Sequence, residues 1–99
     1  MEVQVTKEAS ATVAALIGRL DTLAAQEIAP QMDELKLVDG TLILDCNQLS
    51  YISSSGLRIF LTLRKAAAEK GGKVIVRGLS NEIRSVFMMT GFLNLFEIQ

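Results

Sequence analysis

The chain has 99 residues, 49% of them hydrophobic and 5% aromatic, with ten basic and eleven acidic side chains and a net charge of −1. That length supports a single domain, residues 1–99, with one core packed from Leu, Ile, Val and Ala rather than from rings. The composition offers no basic block for nucleic acid, no apolar run near the ~18 residues of a membrane span, no secretory leader and no histidine for acid–base catalysis. Its one cysteine, Cys46, can close no internal disulfide, which suits a reducing cytoplasm, and a structural zinc site lacks ligands.

Residues 2–7 alternate, with Val3 and Val5 on one side and Glu2, Gln4 and Thr6 on the other, which predicts a half-buried strand. A turn at Glu8-Ala9-Ser10 leads to a second strand over 11–18, apolar enough for burial on both faces, and the two form an antiparallel hairpin. Gly18-Arg19-Leu20-Asp21-Thr22 ends that strand and starts a helix capped by Asp21 or Thr22. Ala25, Ile28, Met32 and Leu35 fall on its apolar face. Pro30 removes a backbone hydrogen bond and clashes with the preceding turn, so a bend is expected near Gln26–Pro30. Asp39-Gly40 closes the element.

Thr41–Asp45 reads as a third, deeply buried strand. A polar connection follows, then Ser53-Ser54-Ser55-Gly56, then a helical pattern over 54–70. Arg58, Thr62, Lys65 and Glu69 share one polar strip of that helix, and its apolar arc is wide enough that Ile59 and Leu63 must meet another helix or a partner. Gly71-Gly72 stops it. Lys73–Arg77 is a fourth strand, Ser80 caps a third helix over 81–90, and Leu95–Ile98 is a short last strand. The β-β-α-β-α-β-α-β order predicts an α/β domain with a mixed four- to five-stranded sheet and helices packed on it. Asp21, Asp45 and the serine loop then follow strand ends and are expected at one edge.

On the residues alone, Ser54 is either a helix cap between two polar loop serines or a hydroxyl placed to accept phosphate where a helix N-terminus tolerates negative charge. Ser50-Tyr-Ile-Ser-Ser-Ser-Gly-Leu-Arg58 resembles the signature of STAS-domain anti-sigma-factor antagonists. The likeness continues in Leu16-Ile-Gly-Arg-Leu-Asp21, Leu42-Ile-Leu-Asp45 and Met89-Thr-Gly-Phe92 with Leu95-Phe96, in register across nearly the whole chain. The resemblance implies a STAS fold and a regulatory protein rather than an enzyme, with no cofactor. It implies that Ser54, less so Ser53 or Ser55, is phosphorylated by an anti-sigma factor with serine-kinase activity and reset by a serine phosphatase. The unphosphorylated form would bind that kinase and free a sigma factor. The implied partner face is Asp21, Thr22, Ser53, Ser54, Ser55, Gly56 and Arg58. Many members carry Asp immediately before the phosphorylated serine, where this chain has Ser53. The alternative is an unphosphorylated STAS docking subunit of a membrane lipid or anion transport system.

Asp45 is expected to hold its own loop by accepting backbone bonds, and Cys46 to be a small buried residue. Lys70-Gly71-Gly72-Lys73 precedes a strand and lacks the spacing of a phosphate loop.

Overall fold

Strand β1 (Glu2–Glu8) folds back antiparallel on β2 (Ala11–Leu20), from Glu2 opposite Ile17 to Glu8 opposite Ala11. The structure is a computed structural model and describes residues 1–99. β2 is shared. Its first half, Thr12–Ala15, pairs in parallel with β3 (Thr41–Asp45), and its last residues, Gly18–Leu20, pair in parallel with β4 (Leu49–Ile52). β5 (Lys73–Arg77) lies parallel to β3, and the two-residue β6 (Glu97–Ile98) parallel to β5. The sheet is mixed and six-stranded.

Two expectations are corrected. The sheet has six strands rather than four or five, because β4 forms within the segment read as a polar connection. Its four residues bury only the two ends, Leu49 and Ile52, too short a pattern to stand out among Asn, Gln and Ser. The last strand covers Glu97–Ile98 rather than Leu95–Ile98, since residues Phe92–Asn94 turn as a 3₁₀ helix first.

The helices are α1 (Thr22–Glu27), α2 (Ala29–Leu35), α3 (Ser54–Glu69) and α4 (Asn81–Thr90). The break predicted at Pro30 divides α1 from α2 at Ile28, leaving Pro30 in the first turn of α2, where a missing N–H costs nothing. Ala24, Ile28, Met32 and Leu35 face the core, with Ala25 only half-buried. Three helices start alike: Asp21, Ser53 and Ser80 each accept a bond from the backbone N–H three residues on. No helix is long and apolar enough to cross a membrane.

All four helices bury their apolar faces against one side of the sheet, around Leu16, Leu20, Leu44 and Val76. The few rings are gathered rather than scattered. Phe60, Phe87, Phe92 and Phe96 pack with centroids about 6 Å apart, mostly edge to face, a geometry worth roughly 0.5–1.5 kcal/mol per pair beyond burial. At the other end of α3, Gly72 passes so close to the Gly40 carbonyl that a Cβ has no room.

The helix-free face carries a small apolar stripe, Val13, Ile43 and Ile75, one from each of three neighbouring strands. Arg77 of β5 pairs with Glu8 of β1 at 3.0 Å and with Asp45 at 3.4 Å. In the strand register the line from Arg77 to Glu8 crosses β3 and β2 over Ile43 and Val13. The ion pair therefore straps the stripe. Arg77 holds the exposed Glu8 carboxyl below its usual range. Burial pushes the Asp45 carboxyl up, but hydrogen bonds from the Asn47 backbone and amide, and then Arg77, hold it below the ordinary value.

Candidate functional site

The site is built where β2 and β4 end together. Leu20 and Ile52 are paired, so the next residues, Asp21 and the serine loop, emerge side by side, and Ser53 N donates to Leu20 O at 2.9 Å. Asp21 caps α1, its Oδ1 accepting from Ala24 N at 2.8 Å, and Thr22 is exposed as the first residue of that helix. Ser53 caps α3, its Oγ accepting from Gly56 N at 3.2 Å.

That assignment corrects the reading of Ser54 as the cap. Extended backbone and the cap bond belong to Ser53, one residue earlier. Ser54 is the first helical residue, its side chain exposed and its Oγ outside the loop's hydrogen bonds. Ser55 is half-buried, and its Oγ accepts from Arg58 Nη2 at 3.2 Å.

Gly56 has a packing reason. A Cβ there would lie 2.8 Å from Leu20 Cγ and 2.8 Å from Ile52 Cγ1, too close for any side chain. The missing Cβ lets the first turn of α3 sit directly on the ends of β2 and β4. The serine loop thus stands on a floor that is 0% exposed at Leu20 and 5% at Ile52.

A groove of about 390 Å³ runs beside the loop between α2 and α3. Met32 and Leu63 form its floor, Ile59 its wall, and Asp33, Lys36 and Arg58 its rim. The wide apolar arc of α3 is accounted for here: Leu63 is buried in the core, and the half-buried Ile59 shares the groove with Ala25 of α1 and with Ala29 and Met32 of α2. Asp33 and Lys36 pair with one another at 2.9 Å. On the sheet side of the loop, the Arg19 guanidinium lies 4.4 Å from the centroid of the Tyr51 ring, a cation–π contact that the sequence reading missed. The residues alternate with buried Leu20 and Ile52 on strands that end at the site, but only the pairing of β4 with β2 brings them together.

Asp45 does not join the site. It aligns with Ala15, and at ~3.3 Å per residue from 15 to 21 it lies about 20 Å from Asp21 along β2. The insertion of β4 separates it from the serine loop. It does hold its own turn, accepting from Asn47 N at 3.0 Å. Cys46 is buried beneath that turn, and burial, then the Asp45 charge, push its thiol up to about 12. It stays protonated and is no nucleophile at neutral pH. No three Asp, Glu or Cys side chains converge in a way that could hold a metal ion.

The arrangement defines a class: a small α/β domain, helices on one face of a mixed sheet, presenting an exposed serine at the start of a helix beside a groove. The chain belongs to the STAS domain family, whose profile matches residues 2–99. BtrV of Bordetella bronchiseptica, assigned to the anti-sigma factor antagonists, is 32% identical over 90 residues, covering 87% of this chain and 75% of that one. The anti-sigma-B factor antagonist of Listeria monocytogenes is 24% identical over 83 residues, 83% of this chain and 73% of that one. The anti-sigma factor antagonist SpoIIAA in its unphosphorylated form superposes with a TM-score of 0.75 at 22% identity, over 99% of this chain and 87% of that one. The Bacillus cell fate determinant SpoIIAA in its phosphorylated form gives 0.74 at 23% identity, over 99% and 91%. The predicted family and fold class are those found.

Proposed function

We propose that this chain is an anti-sigma-factor antagonist whose binding is switched by phosphorylation of Ser54. It is a regulatory partner and kinase substrate rather than an enzyme, and it works in the cytoplasm. One observation carries the reading: Ser53 does the capping, so Ser54 is left exposed with no structural task at the centre of the surface. The names of the relatives in Bordetella and Listeria support the same role.

The unmodified face of Asp21, Thr22, Ser53–Gly56 and Arg58, continued by the groove between α2 and α3, docks an anti-sigma factor with serine-kinase activity. Docking displaces the sigma factor. In the transfer, the Ser54 Oγ–H bond is replaced by an Oγ–P bond to the terminal phosphoryl group of the kinase's nucleoside triphosphate. The diphosphate leaves and the proton passes to the kinase. A phosphatase reverses the step with water. The product gains about −1.5 to −2 charges and three acceptor oxygens. At the first position of α3 those charges suit the helix, by roughly 0.3–1 kcal/mol, so the fold survives. The complex does not: a loss of ~2.7 kcal/mol weakens binding about a hundredfold, and an interface that buries a double charge loses more.

The test is peptide mass spectrometry of the protein from its own cells, with capture of its partner. Phosphate on Ser54 is expected, together with a captured protein that phosphorylates the purified chain but not Ser54→Ala. Ser54→Asp should lose the capture that Ser54→Ala keeps. A chain unmodified through growth and stress, captured equally well as Ser54→Asp, would defeat the reading. A membrane-bound partner would then mark it as a transporter's docking subunit.

A further inference from the structure

Arg58 sits four residues after Ser54 on α3, one turn along the same face. It is exposed, and its side chain already folds back toward the start of the helix to reach Ser55 Oγ at 3.2 Å. The other cations nearby are committed elsewhere. Lys36 is paired with Asp33, Arg19 lies over Tyr51, and Arg64 donates to the Leu95 carbonyl. Lys65 lies a further seven residues along α3, about 10 Å beyond Arg58 at ~1.5 Å per residue. Arg58 is held only by a neutral hydroxyl, a bond that a dianion one turn away outcompetes. The order also favours pairing, since an anion N-terminal to a cation at this spacing is the better orientation.

We propose that Arg58 is the internal receptor for phosphate on Ser54, leaving Ser55 Oγ for the phosphate oxygens when the serine is modified. The inference rests on the reading of Ser54 as the phosphoacceptor and adds how the modified state is held. In the unmodified chain the Arg58 cation stands on the rim of the groove, open to an acidic group of the partner. In the modified chain it is folded onto the phosphate. One modification then both adds an anion and withdraws a cation from the docking face, so the partner loses an attraction as well as meeting a repulsion. Asp33 and Lys36, across the groove from Arg58, are paired with each other. Asp21, beside the loop, raises the cost of the second phosphate charge in every variant alike.

The test uses the full chain with phosphoserine encoded at position 54, so that no kinase is involved. Phosphorus NMR follows the second ionisation of the phosphate, ordinarily near pH 6. The parent should ionise lower than Arg58→Gln by about 0.4–0.7 of a pH unit, the size of an exposed ion pair. Arg58→Lys should keep part of the gap, Lys65→Gln none of the loss, and ~1 M salt should close most of it. Agreement of the parent and Arg58→Gln to within about 0.1 unit would overturn the proposal, as would an equal change in Lys65→Gln, which would mean general field rather than pairing. A chain never phosphorylated in its cells would instead defeat the functional reading and leave this measurement standing.

Discussion

One of the three serines caps α3, and alanine substitution tests which. Ser53 Oγ accepts from the N–H of Gly56, a residue packed onto Leu20 and Ile52. Ser53→Ala removes that bond and leaves a donor beside buried aliphatic side chains. Loss of an N-cap costs about 0.5–2 kcal/mol, and poor access of water to Gly56 places this one in the upper half, about 1–2 kcal/mol. For a domain of this size that corresponds to a fall in Tm of roughly 4–16 °C. Ser54→Ala replaces an exposed side chain at the first helical position with a good helix former and should stay within about 0.5 kcal/mol of the parent. Ser53→Asp restores an acceptor with favourable charge at the helix start and should match or exceed the parent. Urea and thermal unfolding followed by circular dichroism measure all three. If Ser54→Ala loses as much stability as Ser53→Ala, the assignment of the cap, and with it the freedom of Ser54, is wrong.

Gly56→Ala adds a methyl where Leu20 and Ile52 leave no space, and should cost about 1–2 kcal/mol in urea unfolding, overpacking outweighing the helical gain of alanine; a variant as stable as the parent would show that α3 can lift off the strands. The acid limb of stability should depend on the strap. Asp45 and Glu8 have folded values below their unfolded ones, near 4. Their stabilisation is complete above that pH and disappears as pH falls through the lower folded values. Asp45→Asn with Glu8→Gln should therefore flatten the loss of stability below about pH 4, and an unchanged acid slope would refute the cause. Cys46, buried with its thiol pushed up to about 12, should react with a disulfide reagent at pH 8 only as fast as the turn opens, with a rate that climbs in urea; rapid labelling of the folded chain would contradict the burial.

Most of the architecture is written in local pattern. Alternation marks β1, apolar runs mark β2, β3 and β5, and Pro30 marks the break between α1 and α2. What escaped depends on pairing between distant segments. Leu49–Ile52 is a strand only because Gly18–Leu20 offers an edge, and its own residues show two buried ends around Ser50 and Tyr51. The misplacement of Asp45 follows from that omission. That Asp21 and the serine loop emerge near one another was legible from two strand-to-helix transitions. Three serines in a row hid which one caps, because each is equally suited until backbone geometry chooses Ser53.

The ladder between β2 and β4 slips where consecutive Gly18 and Arg19 face Leu49 and Tyr51, Ser50 being the extra residue on β4, and Gly18 adopts φ +108°. Through Ile17 the strand is paired with β1 and β3, and from Gly18 onward with β4 alone. A strand without the slip would carry any change of alignment through its whole length, turning every side chain to the other face. The irregularity acts as a clutch. Beyond it the exposed Arg19, Thr22, Ser50 and Tyr51 stand outside the core that Leu20, Leu49 and Ile52 hold, so the surface there can change while the hairpin and the parallel core keep their pairing.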